Sequence, residues 1–253
     1  MTNKNAKSRV GFLDELRGFA IICMVFYHAM FNLKYMFGVD VPIFFEDWFY
    51  PIEQVFAGIF ICISGIVCNY SASNLKRGVQ CFFIGMIMTF VTAFVVPDTP
   101  DVFGILHCLG ICMMIYGLGQ SVLERIPSVI GIAVNVMLFL MTYNFSRGYF
   151  GISGLFRFKM PEFLYSTSVL FPLGFPGKGF SSLDYFPLLP WLFLFLAGAF
   201  YGVYVKAGLA PKFFYKTHVR FFAAAGRYSL WIYVLHQPVI YSAMCLIFGK
   251  SLF

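Results

Sequence analysis

Charged residues are scarce in this chain: they make up 11% of its 253 residues, while hydrophobic residues make up 60%. A soluble domain of this length could not hide so much apolar surface, so the composition excludes the ordinary soluble classes. The apolar runs recur from near the start to the end, without a break in composition between them. The sequence therefore predicts one integral membrane domain over residues 1–253.

The short alternating segments of a membrane β-barrel are missing, and the apolar runs are long enough to cross about 30 Å of hydrocarbon as helices. We therefore predict an all-α polytopic bundle of about seven transmembrane spans. The spans are expected near residues 17–36, 49–69, 79–96, 102–122, 127–143, 187–205 and 227–248. The apolar piece 163–175 is too short to span and favours a re-entrant or interfacial element, whereas an eighth span there would reverse the C-terminal half.

Basic residues fall on every second loop between the predicted spans, and acidic residues dominate the loops between those. By the positive-inside rule this predicts a cytoplasmic N-terminus and an outer C-terminus in a cytoplasmic membrane. No small-residue cleavage site follows the first span, so we interpret that span as a permanent anchor rather than a signal peptide. Since the basic balance reflects topology, nucleic acid is not an expected partner.

The seven cysteines imply no disulfide framework, because all of them lie within or at the ends of predicted spans. Cys108 and Cys112 are one helical turn apart and adjoin His107. A metal site needs more ligands that converge, so we expect no metal. A Gly-rich loop of the nucleotide-binding type is also absent.

Ionisable side chains inside the spans are few, and at such depth they are functional candidates. At about 1.5 Å per residue, His28 lies about 16 Å beyond Arg17, and His236 reaches a similar depth in the last span. Glu53 and His107 come to a comparable depth on oppositely directed spans. Each group could find its own hydrogen-bond partner in a backbone carbonyl or a Tyr hydroxyl. Four such groups at one depth of the membrane, which we call the polar slab, favour a shared polar cavity.

Several motifs carry a family resemblance. Arg17 and His28, with ten residues between them, match the Arg-x10-His signature of the membrane acyltransferase 3 family. The wider pattern is similar to bacterial proteins of the heparan-alpha-glucosaminide N-acetyltransferase catalytic-domain family. That similarity covers nearly the whole chain and rests on residues 13–21, 63–66, 103–107, 184–191 and 226–238.

The resemblance implies transfer of an acyl group, usually acetyl, from cytosolic acyl-CoA to a hydroxyl or amine of a sugar-containing acceptor at or across the membrane. The implied partners are acyl-CoA, a glycan or glycolipid acceptor and membrane lipid, and a homo-oligomer stays open. The animal heparan enzyme has Asn where His28 stands, and its essential His lies in the following loop. Residues 34–48 contain no His here, so heparan itself is not an implied substrate.

The resemblance and the chemistry of thioesters together suggest roles for the polar residues. His28 is expected to act as general base, with Glu53 or His236 orienting it. A covalent acetyl-His intermediate is the alternative, since imidazole can also be a nucleophile. His107 or Tyr27 is expected to donate a proton to the developing oxyanion.

Four basic residues are candidates for the CoA phosphates: Arg17, Arg227, Lys76 and Arg77. The positive-inside rule alone accounts for most of this charge, but Arg17 and Arg227 each abut a motif. Asp14 is placed to pair with Arg17 one turn along the helix, which would orient the guanidinium.

The aromatic and Gly-rich stretch 144–186 is a candidate for the acceptor site. Asp184 and Arg157 are its expected contacts there, together with Tyr27 from the first span. The competing interpretation is a surface loop without a specific role.

Three other classes are weighed against an acyltransferase. A transporter or flippase would use the buried His and Glu residues as a proton relay, but no internal repeat supports it. A haem protein would use two histidines as ligands, and no attachment motif is present. An intramembrane serine protease of the rhomboid type would need Gly where Cys62 precedes Ser64.

Overall fold

The computed structural model describes residues 10–42, 49–95, 97 and 100–249. Within these residues, seven helices are long and apolar enough to cross a membrane, which confirms the predicted all-α bundle. The spans are formed by α1 (Gly11–Tyr35), α2 (Phe49–Cys68), α3 (Asn74–Val95), α4 (Ile105–Leu123), α5 (Ser128–Thr142), α6 (Leu188–Lys206) and α8 (Ser229–Phe248). The span that begins with α5 continues beyond that helix to Arg147. A short helix that the sequence did not predict, α7 (Arg220–Arg227), precedes the last span.

In the segment between α5 and α6 the sequence predicted a re-entrant or interfacial element, with an eighth span as the alternative. Residues 163–175 contain only short 3₁₀ turns, at Glu162–Tyr165 and Phe171–Leu173. A small antiparallel hairpin, β1 (Tyr149–Ile152) and β2 (Phe156–Lys159), precedes them. The segment therefore adds no eighth helix between α5 and α6.

The first span begins earlier than its apolar run suggests, at Gly11 rather than near residue 17. Asp14 and Glu15 lie inside α1 and are buried, although charged residues usually mark the end of a membrane span. Glu15 is accommodated because its carboxylate accepts backbone N–H groups of His218 and Val219. A contact across some 200 residues of chain thus extends the helix beyond the apolar pattern.

The chain forms two compact units, residues 1–60 with 210–253 and residues 61–209. In the first unit, α1 packs against α7 and α8. The contact between α1 and α7 is made backbone to backbone. A Cβ added at Gly18 would overlap the Phe222 carbonyl oxygen, and one at Gly226 would overlap the Asp14 carbonyl oxygen. Small residues at such crossings are typical of helix packing in membranes.

In the second unit, α3 packs against α4 and α5 against α6. The pair α3 and α4 approaches closely at Gly78 and Gly110, where each glycine faces backbone atoms of the other helix. Phe195 and Trp191 of α6 are buried in the core of this unit.

Candidate active site

Two of the predicted histidines lie side by side in the first unit. The ring centroids of His28 on α1 and His236 on α8 are 5.0 Å apart. His236 is 7% exposed, and His28 is half-buried. The Tyr27 ring lies 5.6 Å from that of His28. The structure thus brings together two of the four ionisable groups that the sequence placed at similar depth.

The hydrogen bonding of His236 defines its tautomer. Its Nδ1 lies 2.5 Å from the carbonyl oxygen of Tyr233, one turn earlier on α8. Because a carbonyl can only accept, Nδ1 carries the proton, and Nε2 of the neutral ring is left as an acceptor. This Nε2 is buried and has no hydrogen-bond partner in the part of the chain that the structure describes. His236 therefore offers an unused proton acceptor beside His28.

A second polar contact between α1 and α8 lies one turn further along α1. Asn32, which is 2% exposed, donates through Nδ2 to Oε1 of Gln237 at 2.9 Å. This bond fixes the register of the two helices where their histidines meet. Sequence analysis missed both residues, although Asn32 stands four positions after His28 and so on the same helix face.

The remaining predicted members of the polar slab are placed differently. Glu53 lies near the start of α2 in the first unit and is half-buried. His107 belongs to the second unit. The shared cavity of four groups therefore stays a prediction, and so does the role of His107 as a donor to an oxyanion.

Two of the predicted CoA-binding arginines flank the crossing of α1 and α7. Arg17 adjoins Gly18, and Arg227 adjoins Gly226, the two glycines through which the helices touch. Arg17 donates through Nη1 to Asp14 Oδ1 at 3.4 Å, which is the predicted pairing along α1. Arg227 is exposed and donates through Nε to a carbonyl of its own helix. Each of the two arginines is thus the chain neighbour of a glycine at this backbone contact.

The other two cationic candidates lie elsewhere. Lys76 and Arg77 are exposed in the first turn of α3, in the second unit. Their position at a helix end agrees with a role in topology and leaves a role in phosphate binding untested.

Glu15 joins the start of α7 to α1. Its Oε1 accepts the backbone N–H groups of His218 and Val219, and its Oε2 lies 3.5 Å from Nδ1 of His218. Val219 immediately precedes α7, so the carboxylate satisfies backbone donors at the N-terminus of that helix.

We expect Glu15→Ala to destabilise the protein by about 2 kcal/mol, because buried N–H groups lose a charged acceptor. The melting temperature in detergent should fall by about 5 °C. Glu124→Ala is the matched control, since Glu124 is exposed at the end of α4 and its carboxylate accepts from the exposed Gln120 side chain. Equal shifts for the two variants would show that Glu15 does not hold α7.

A second polar centre lies in the second unit, at the start of α4. Two loops pair there: the N–H of Phe186 donates to the carbonyl of Phe103 at 3.0 Å. This pairing brings the predicted acceptor residue Asp184 next to α4, where its Oδ2 accepts from the N–H of Ile105 at 3.5 Å. Asp101, from the other loop, lies close enough that the two carboxylates repel each other.

Asp101 is 7% exposed, and burial together with the neighbouring Asp184 carboxylate raises the pKa of Asp101 to about 8. Its Oδ1 is buried and has no hydrogen-bond partner among the described residues. Sequence analysis gave Asp101 no role in the site. Its proximity to Asp184 depends on loops about 80 residues apart, so no local pattern reveals it.

His107 lies in the first turn of α4 and is 2% exposed. The hydroxyl of Thr89 donates its one proton to the carbonyl of Asp101, so the His107 Nε2, 3.4 Å from that hydroxyl, must be the donor to it. In the neutral ring Nδ1 is then an acceptor, and it is buried with no partner in the described ranges. The ring stacks on Phe103 at 5.5 Å.

The predicted acceptor residue Arg157 lies on β2 and is exposed, with its guanidinium 4.9 Å from the centre of the Tyr149 ring. The stretch around it forms a hairpin and turns with their own tertiary contacts. The hydroxyl of Tyr165 donates to the Phe145 carbonyl, and that of Tyr185 donates to the Phe171 carbonyl.

Cys108 and Cys112, for which the sequence predicted no metal, approach to 4.0 Å between their sulfurs. Among the residues that the structure describes, no group of three or more His, Cys, Asp or Glu side chains is placed to hold a metal ion.

Residues 9–238 match the family model described as heparan-alpha-glucosaminide N-acetyltransferase, catalytic. The chain belongs to this family. The matched range includes both histidines of the α1–α8 contact and both carboxylates at the start of α4. The match confirms the predicted resemblance, and the family's name points to an acetyltransferase of the membrane. No curated protein and no solved structure shows significant similarity to the chain.

Proposed function

We propose that the protein transfers an acyl group, foremost acetyl, from cytosolic acyl-CoA to a hydroxyl or amine of a sugar-containing acceptor at or across the membrane. The observation that carries this proposal is the contact of His28 with His236 inside a family of N-acetyltransferases. We treat the whole chain as one acyltransferase domain in this proposal.

His28 serves as the general base. It takes the proton of the acceptor hydroxyl or amine while the acceptor atom bonds to the thioester carbon, and the carbon–sulfur bond breaks to release CoA thiolate. His236 positions the His28 ring, since its own Nδ1 is held by the Tyr233 carbonyl. Glu53 is the second candidate for this role. Tyr27, whose ring lies beside that of His28, donates a proton to the oxyanion in this proposal.

Arg17 and Arg227 bind the CoA phosphates. Guanidinium groups pair with phosphate through two parallel hydrogen bonds, and these two arginines border the same helix crossing. Along α1, the distance from Arg17 to His28 is about 16 Å, a path that the long pantetheine arm would follow. With the N-terminus in the cytoplasm and the C-terminus outside, Arg17 faces the cytosolic pool of acyl-CoA.

The layout of the second unit supports transfer across the membrane. Lys76 and Arg77 lie at the first turn of α3, while Asp101 follows the other end of that helix. The 22 residues of α3 separate the two ends by about 33 Å. Basic residues and the paired carboxylates thus occupy opposite ends of this unit, as a cytosolic donor and an outer acceptor require.

The proposal is tested first by binding of acetyl-CoA to the purified protein in detergent, measured by calorimetry. We expect saturable binding that Arg17→Ala weakens by about 10- to 100-fold, because a charged group that contacts phosphate is lost. Arg125→Ala is the control, since Arg125 is exposed beyond α4 and outside every motif. If folded wild-type protein binds no acetyl-CoA, the proposal fails and a transporter becomes the better interpretation.

A further inference from the structure

The backbone of α8 lacks a hydrogen bond in the turn that carries His236 and Gln237. Pro238 lies inside this helix and has no N–H, so the carbonyl of Val234, four residues earlier, is left without its helical donor. The missing bond would have spanned residues 234–238, which include both side chains. The backbone therefore fixes the direction of these two side chains less firmly than it does elsewhere in α8.

A side chain of α1 forms a hydrogen bond with this same turn. Nδ2 of Asn32 donates to Oε1 of Gln237 at 2.9 Å, and Asn32 is 2% exposed. A buried donor that loses its partner costs free energy, because no water replaces the lost bond. The bond therefore favours the arrangement of α8 in which Gln237 faces Asn32.

This bond and the contact between the histidines join the same two helices at neighbouring places. Asn32 follows His28 by about 6 Å along α1, and Gln237 is the chain neighbour of His236. The two histidine rings lie 5.0 Å apart. A ring contact alone leaves the rotation of the α8 turn open, whereas two contacts at different points along α1 define it.

The His236 ring depends on such a restraint because its own hydrogen bonding stays within α8. Its Nδ1 lies against the carbonyl of Tyr233, and its buried Nε2 has no hydrogen-bond partner among the residues that the structure describes. The direction of the ring therefore follows the direction of the turn that carries it.

We propose that Asn32 and Gln237 are positioning residues whose hydrogen bond holds the His236 ring against His28. This inference rests on the proposed function, in which His28 is the general base and His236 orients it. The two amides act through His236 and exchange no proton with the substrates, since an amide is neither an acid nor a base at neutral pH.

The test compares acetyl transfer by the wild-type protein and by Gln237→Met in detergent, followed as release of CoA thiol with methyl glucoside and glucosamine as acceptors. Methionine keeps the length of the side chain and removes the acceptor of the bond. We expect kcat to fall by about 10- to 100-fold, because a displacement of about 1 Å at a catalytic group has an effect of this size. KM for acetyl-CoA should change by less than about threefold, because Arg17 and Arg227 are unaltered.

Asn32→Ala and Asn135→Ala form a matched pair that separates positioning from stability. Both asparagines are buried, and Nδ2 of Asn135 donates to the Gly131 carbonyl of its own helix at 2.8 Å, in the second unit. Each variant loses a buried amide, so both melting temperatures should fall, but only Asn32→Ala should lower kcat. The double exchange Asn32→Gln with Gln237→Asn restores both amides at the same total length and should recover most of the activity.

The His236→Ala background provides a readout that a structural role would not move. If the bond acts through His236, adding Gln237→Met to His236→Ala should lower kcat by less than about a further threefold. An unchanged kcat in Gln237→Met, an equal loss of kcat in Asn135→Ala, or a full further loss in the His236→Ala background would overturn the inference and leave acyl transfer in place. If folded wild-type protein transfers no acetyl group, the proposed function fails and this inference fails with it.

Discussion

Turnover should be lost in His28→Ala, with a drop of about 10³-fold or more in acetyl transfer to a sugar acceptor. The variant removes the imidazole that this proposal makes the general base, and the His236 ring then borders an empty position. Because His28 is only half-buried, its truncation should leave the fold largely intact. Binding of acetyl-CoA at Arg17 and Arg227 should change by less than about threefold. The measurement is release of CoA thiol with glucoside and glucosamine as acceptors.

Tyr27→Phe is the companion variant, since it keeps the ring beside His28 and removes only the hydroxyl. A smaller loss than in His28→Ala would assign Tyr27 a supporting role. Incubation with labelled acetyl-CoA alone distinguishes the two roles of His28, because only a nucleophile leaves the label on the protein. Full activity of folded His28→Ala would eliminate both roles.

Gly226→Ala should prevent normal folding, with a loss of at least about 3 kcal/mol. The added Cβ would overlap the backbone carbonyl of Asp14, and α1 and α7 cannot separate without breaking the Glu15 contacts to the segment before α7. The expected readout is poor recovery of monodisperse protein in detergent and a much lower melting temperature.

Gly119→Ala provides the control for this variant. Gly119 also lies inside a helix, but a Cβ there would meet its nearest atom, on the Leu123 side chain, at an ordinary 3.7 Å. Alanine should be tolerated or slightly stabilising, since it costs the helix less conformational entropy than glycine. If both variants behave alike, the α1–α7 crossing is not the close contact that the structure describes.

The spans could be predicted from the sequence because each depends on a local apolar run. The start of α1 could not be predicted, because charged residues such as Asp14 and Glu15 usually mark the end of a membrane span. The burial of Glu15 depends on the chain near His218, and Asp14 packs against Gly226, both far away in sequence. Helix α7 was missed for the same reason: eight residues are too few to form a helix without packing, and this helix is held by Gly226.

Site residues could be predicted where their position depends on depth along a helix. They could not be predicted where their position depends on the pairing of loops. His28 and His236 could be expected at one depth, and the structure places them in contact. The hydrogen bond between Asn32 and Gln237 requires the relative rotation of α1 and α8, which composition does not specify. The environment of Asp101 requires two loops to pair, and hydrophobic periodicity carries no information about such pairing.

The Arg17-Gly18 and Gly226-Arg227 dipeptides have a consequence for handling the protein. On each helix, the residue that packs and the residue proposed to bind phosphate are neighbours in the chain. A donor that engages both arginines therefore clamps α1 to α7 and acts as a folding ligand. At 100 times its dissociation constant, such a ligand adds about 2.7 kcal/mol to stability. CoA or a CoA analogue present during extraction from the membrane would then protect the first unit while detergent replaces lipid.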